Sequence, residues 1–187
     1  MTELLQFLNS IHPLNDGLQN YLSEHLVRIE FPKKHFILKK SHICYNIYFI
    51  QKGLVRCFYI KDDKEISSWF MNEGDVIVSV ESFFKQTVSY ETIQALEDCE
   101  MYYLSYTDLQ NAYQNFFEFN VTGRVLTEKY YMLSEQRLKQ LRMQTSREKY
   151  HDLIENNPQL IQRVPSKHLA SYLGITEEHL SRIRAQR

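Results

Sequence analysis

The sequence predicts an α+β protein. An N-terminal antiparallel β-roll of jelly-roll type with flanking helices comes first, then one long helix, then a helix-turn-helix. Three observations predict this order. The hydrophobic period is helical up to about residue 27, becomes two from about residue 28, and is helical again after Leu104. Charge divides in the same way: residues 1–123 hold 10 basic and 16 acidic residues, a net of −6, whereas residues 124–187 hold 12 and 7, a net of +5. Aromatics divide too, because of 24 Tyr and Phe residues only Tyr150 and Tyr172 follow residue 132.

The totals bound the function classes. A chain of 187 residues with 43% hydrophobic and 24% charged residues is a foldable, soluble one, large enough for one domain or two small ones. No apolar run is long enough for a membrane helix. The start, MTELLQFLNSIHPL, lacks the basic and apolar regions of a signal peptide. Cys44, Cys57 and Cys99 have neither metal-like nor redox-like spacing, so core thiols in a cytoplasmic protein are expected.

The elements follow in order. Leu4, Leu5 and Leu8, then Leu18, Leu22 and Leu26, recur at helical spacing, with Pro13 and Asn15-Asp16-Gly17 between them. From about residue 28, VRIEF runs into PKK and then HFILKK, and strands are expected at Tyr45–Ile50, Leu54–Ile60, Glu65–Phe70, Val76–Val80, Thr92–Ala95 and Glu100–Leu104. The turns are Lys52-Gly53, Lys61 to Lys64 and Asn72 to Asp75. Thr107 is placed to cap the next helix. A long helix is expected from Phe117 to Met143, with Phe119, Leu126, Tyr130, Leu133 and Leu141 near one stripe and Arg137 interrupting it. A stripe of that length commonly buries itself against a second copy. Ser146 is placed to cap a helix over residues 146–157, which Pro158 should stop.

The sharpest local signal is VPSKHLASYLGITEEHLSRIRAQR, Val164 to Arg187. Ser166 precedes a short helix with Leu169, Ala170 and Leu173 on its apolar side. Gly174 can take the positive φ of a tight turn. Thr176 caps a second helix, whose buried positions are Leu180 and Ile183 and whose open face carries Glu177, Glu178, Ser181, Arg182 and Gln186. This is the pattern of a helix-turn-helix, whose second helix enters the major groove. Arg182 suits guanine or phosphate, Glu178 suits cytosine, and Ser181 suits either role. Lys167 and His168 stand near the DNA backbone in that arrangement.

The whole pattern resembles the Crp/Fnr family of bacterial transcription regulators. Tyr48 to Arg56, Lys64-Glu65 and Asn72-Glu73-Gly74-Asp75 are similar to the cyclic-nucleotide-binding-like roll, with Gly53 and Gly74 at its turn glycines. The resemblance implies a sensor-like roll at residues 1–116, a dimerisation helix at 117–143 and a DNA-binding unit at 144–187. It implies a homodimer on double-stranded palindromic DNA, in contact with RNA polymerase. The β-wing usual after the second helix has no counterpart before the chain stops at Arg187.

The departures bear on the ligand. The family's Gly-Glu-Leu stretch is here Val78-Ser79-Val80, and its phosphate-holding arginine falls at Ser89, followed by Tyr90. Between Gly74 and Leu104 the only basic residue is Lys85. A cyclic phosphate buried without a cation is costly, so control by cyclic AMP of the usual kind is not expected. With no cysteine before Cys44, a four-thiolate cluster is excluded, and no cofactor is expected. A roll pocket of Phe70, Ile77, Val78, Ser79, Ser89, Tyr90 and Ile93 would suit an apolar or neutral effector. In the DNA motif, Glu177 stands where the family's activators carry arginine, while Glu178 and Arg182 match. The alternative is a ligand-binding roll sensor acting through protein contacts. No enzyme is expected, because no His/His/Glu cluster supports a metal.

Overall fold

A computed structural model describes residues 2–186. Two helices open it, α1 (Thr2–Ile11) and α2 (Asp16–His25). The Asn15 side chain accepts from the Leu18 N–H and so satisfies one of the donors that the first turn of α2 leaves unpaired. Leu4 and Leu8 of α1, and Leu18 and Leu22 of α2, are buried in the roll's core.

The roll is built from β1 (Val27–Phe31), β2 (Phe36–Leu38), β3 (Asn46–Lys52), β4 (Val55–Lys61), β5 (Lys64–Met71), β6 (Val76–Ile77), β7 (Glu91–Ala95) and β8 (Cys99–Ser105). They form two four-stranded antiparallel sheets, ordered β1-β8-β3-β6 and β2-β7-β4-β5. The β3–β4 turn needs glycine. Gly53 has φ 107°, and a Cβ there would meet Cys99 Sγ at 2.6 Å and the Asp98 carbonyl at 2.8 Å.

Several local expectations need correction. The apolar run at Val76 is a strand only to Ile77, and a short helix, α3 (Val80–Lys85), follows instead of more strand. Val78 and Val80 suit a strand by propensity. Tertiary contacts override it: Phe83 is fully buried, and Ser82 Oγ accepts from the Cys44 N–H at 2.9 Å. The cap of α4 (Tyr106–Asn115) is Ser105, not Thr107, its hydroxyl accepting from the Asp108 N–H.

The long helix α5 runs Phe117–Met143. Thr145, not Ser146, caps α6 (Ser146–Asn156), in a reciprocal box with Glu148. Pro158 does not only stop α6; it opens α7 (Pro158–Arg163) at the first helical position, where its missing N–H costs nothing. The pair α8 (Ser166–Leu173) and α9 (Glu177–Ala185) closes the chain. Ser166 is the first residue of α8, and Pro165 precedes it. Met1 and Arg187, the outermost residues of the expected first and last segments, lie outside the described residues.

The described residues form two hydrophobic clusters. One fills the roll between its sheets and takes in α1, α2, α4 and Phe119 of α5. The other lies among α6, α7, α8 and α9 and also takes Leu54, Phe70 and Leu96 from the roll. The C-terminal helices are therefore packed on the roll's outer surface.

Candidate functional site

A cavity of about 450 Å³ lies between the roll and α5. That volume is in the range of small-molecule sites. Its walls are mainly apolar and aromatic. On the β2-β7-β4-β5 sheet, Cys57, Tyr59 and Trp69 line it, joined by Glu91; on α5, Thr122, Leu126 and Tyr130 do. The strand register explains the sheet side: Tyr59 pairs with Glu91, and Cys57 with Trp69, so all four point inward. α5 is held to the roll there, because the Tyr130 hydroxyl accepts from the Val76 N–H at 2.6 Å.

The electrostatics of the cavity are one-signed. Its lining holds no Lys, Arg or His, and its only charged residues are Glu81 and Glu91. Glu81 is near the surface and pairs with Lys85 at 2.8 Å. Glu91 is 8% exposed, and burial raises its carboxyl pKa above 4.5, partly offset by a hydrogen bond from Ser79. Burial, then the charge of Glu91, pushes the facing Tyr59 phenol up to about 12. On the opposite wall the Thr122 hydroxyl is buried and has no hydrogen-bond partner among the described residues.

Of the seven pocket residues expected from sequence, Ile77, Val78 and Tyr90 line this cavity. The others are placed elsewhere. Phe70 points out of the roll and packs on Tyr172, ring centroids 5.2 Å apart. Ile93 is fully buried in the filled core. Ser79 and Ser89 are buried and hydrogen-bonded to each other at 2.9 Å. The sequence reading missed Trp69, Tyr59 and Glu91. Strict alternation from Cys57 reaches Tyr59, but Glu91 lies on another strand and meets Tyr59 only through the β4–β7 pairing, and the register shift in the β4–β5 pair hides Trp69.

At the other end, α8 and α9 form a helix pair. Gly174 ends α8 at φ 74°, and the Thr176 hydroxyl accepts from the His179 N–H at the start of α9. Leu169, Ala170, Leu173, Leu180 and Ile183 are buried between the helices. Lys167, Thr176, Glu177, Glu178, Ser181, Arg182 and Gln186 are exposed.

His168 is not free at the surface. Its Nδ1 takes a hydrogen bond from Arg56 Nη1 at 2.7 Å. Arg56 is 2% exposed and also donates to Glu65 and Gln94. Burial, then the Arg56 charge, lowers the His168 pKa to about 4. Ser171 of α8 adds two bonds to β5, accepting from the Ser67 N–H at 3.0 Å and donating to the Glu65 carbonyl at 2.8 Å. Arg163 of α7 reaches both Glu73 and Glu97, which lowers the Glu73 pKa to about 2.

The stripe expected on α5 splits. Phe119 is buried in the roll's own core, and Leu126 and Tyr130 pack on the roll. Leu133 is half-buried, and Leu141 is exposed. Arg137 interrupts the inner face for a reason: its guanidinium lies 3.6 Å from the centroid of the Tyr172 ring of α8. Phe117, Tyr131 and Leu138, fourteen and then seven residues apart on the outer face, are exposed.

The comparisons agree with this architecture. Residues 28–116 match the model of the cyclic nucleotide-binding domain. No curated protein matches the chain. A Crp/Fnr-family protein from Eubacterium rectale has a similar structure, with 16% identity over 95% of this chain and 85% of that one, at a TM-score of 0.74. FixK2 from Bradyrhizobium japonicum is similar at 19% identity, 86% and 83% coverage and a TM-score of 0.72. The c-di-GMP responsive regulator CLP of Xanthomonas campestris is similar at 17%, 92% and 91%, with a TM-score of 0.71. Fold and matched residues thus define a cyclic-nucleotide-binding-like roll with a long helix and further helices after it. In fold the chain is similar, over most of its length, to a structure of the Crp/Fnr family. Among the described residues no group of His, Cys, Asp or Glu could hold a metal, and no helix is long and apolar enough to cross a membrane.

Proposed function

We propose that this chain is a homodimeric, DNA-binding transcription regulator whose roll is not controlled by cyclic AMP. The observation that carries the DNA reading is α9: a capped helix, seated on a buried apolar side, with its polar face wholly open. Arg182, Ser181 and Glu178 are its base-reading residues, while Thr176, Glu177 and Gln186 flank them. Lys167 serves the phosphate backbone. His168 reaches DNA only if α8 leaves the roll, because Arg56 holds it. The outer face of α5 supplies the dimer contact through Tyr131, Leu138 and Leu141, and RNA polymerase is the partner at the promoter. The absence of cyclic AMP control rests on the closed Ser79–Ser89 pair and a cavity lining without cations.

Fluorescence polarisation with promoter duplexes from the gene's own neighbourhood tests this. A selective, strongly salt-dependent affinity is expected. Arg182→Ala should cost about 1–3 kcal/mol at the base it reads, whereas Lys167→Ala should weaken all duplexes alike. Weak binding without sequence preference would overturn the proposal.

A second reading is favoured by the docking of α8 on β5. In it the roll is a ligand sensor whose helical tail contacts proteins. A stable protein complex with no affinity for duplex DNA would select it.

A further inference from the structure

We propose that the roll cavity binds an organic cation, an ammonium group on an apolar or aromatic body, with the ammonium seated against Glu91. The inference concerns the same roll as the reading above, but it rests on the cavity and not on DNA binding.

Size and lining come first. About 450 Å³ of space walled mostly by apolar and aromatic side chains calls for a ligand with an apolar body. Charge decides the rest. Glu91 sits on the inner face of β7, buried, and its carboxylate has Ser79 but no side-chain cation beside it. A buried carboxylate without a charge partner is unfavourable, and a bound cation supplies the partner that the chain does not. The same carboxylate repels a cyclic phosphate, which sharpens the case against nucleotides of that kind.

The neighbours of Glu91 suit a cation too. Tyr59 faces it across the β4–β7 pair, and Tyr90 stacks on Tyr59 with centroids 5.4 Å apart. Trp69 lines the same wall. Aromatic faces around a carboxylate attract ammonium ions more than neutral groups. The unpartnered Thr122 hydroxyl on α5 offers a second polar contact, on the helix that runs on to the C-terminal unit. Tyr90 and Phe84 are exposed at the rim and give the ligand its way in.

Trp69 is the chain's one tryptophan, so its fluorescence reports the cavity. Full-length protein is titrated with phenethylamine, phenethyl alcohol, phenylacetate and cyclic AMP at neutral pH. The amine should bind at least about tenfold more tightly than the alcohol, and neither anion should bind. Glu91→Gln should remove the preference for the amine over the alcohol, and its melting curve reports whether it is folded. Glu81→Gln, at the rim, should keep the preference. Equal affinities for amine and alcohol, tighter binding of either anion, or a retained preference in folded Glu91→Gln overturns the proposal. So does the lack of a saturable response to the amine. The charge series on the unaltered protein decides the matter if Glu91→Gln does not fold. DNA binding is measured separately, so the two proposals fail independently.

Discussion

His168 is where sequence and structure assign a side chain to different surfaces. By position it belongs to the first helix of the proposed DNA-binding pair; in the fold it accepts from a buried arginine of the roll. That bond requires the neutral ring, with the proton on Nε2. The groups facing it are Arg56, Glu65 and Lys167, and their balance with burial lowers its pKa from 6.5 to about 4. The folded state therefore disfavours a proton that the unfolded chain accepts. Stability from this contact is present above about pH 6.5 and is lost as the pH falls from there toward 4. Thermal melts across that window should show the loss, and His168→Asn, which keeps an acceptor but does not titrate, should flatten it. Glu73 acts in a lower window. Arg163 depresses its pKa to about 2, so its contribution is present above about pH 4.5 and lost below it. Arg163→Gln should remove that second acid step. Gly53 makes a steric prediction at the same scale. Gly53→Ala should destabilise the roll by at least about 1 kcal/mol in urea unfolding, because both φ and the Cys99 contact forbid a Cβ.

Among the elements, α8 and α9 depend on one another. Their shared side chains Leu169, Leu173 and Leu180 are at most 1% exposed. Leu180→Ala should cost about 2–5 kcal/mol and loosen the pair, seen as faster amide exchange in α8 and α9 than in the roll. Thr176→Ala removes only a cap and should cost about 1 kcal/mol in the same measurement. This pair was fully legible in the sequence because a cap, a glycine and an apolar period all lie within one short stretch. α3 and α7 were not legible. Each is six residues, too short for a helical period to declare itself. Their stability comes from docking: Phe83 in the roll's core, and Leu160 in the second cluster.

For the whole molecule, α5 connects every part. Its inner face joins the roll through Phe119 and Tyr130, and its far end joins α8 through Arg137 on Tyr172. Its outer face is left with Phe117, Tyr131 and Leu138 exposed, a stripe that a second α5 can cover. If the chain dimerises there, Tyr131→Glu with Leu138→Glu should give a monomer by sedimentation while leaving the fold intact by circular dichroism. A change of packing in the cavity bears directly on α5, and α5 bears on the helix pair, so the proposed ligand and the proposed DNA contact would act on one equilibrium.

The order of roll, long helix and helix pair was determined by the sequence alone, because hydrophobic period and turn residues are local properties. So was the lack of any arginine between Gly74 and Leu104, which is a matter of composition. The tertiary structure decided which side chains share a space. It turned Phe70 outward and Trp69 inward past the register shift in the β4–β5 pair, bonded Ser79 to Ser89, gave His168 to Arg56, and set Glu91 in the wall of a mostly apolar cavity. Each of those facts depends on partners ten or more residues away in the chain or on the parity of a strand after an irregularity. No local pattern carries that information, because facing and burial are set only when the sheets close and the helices dock.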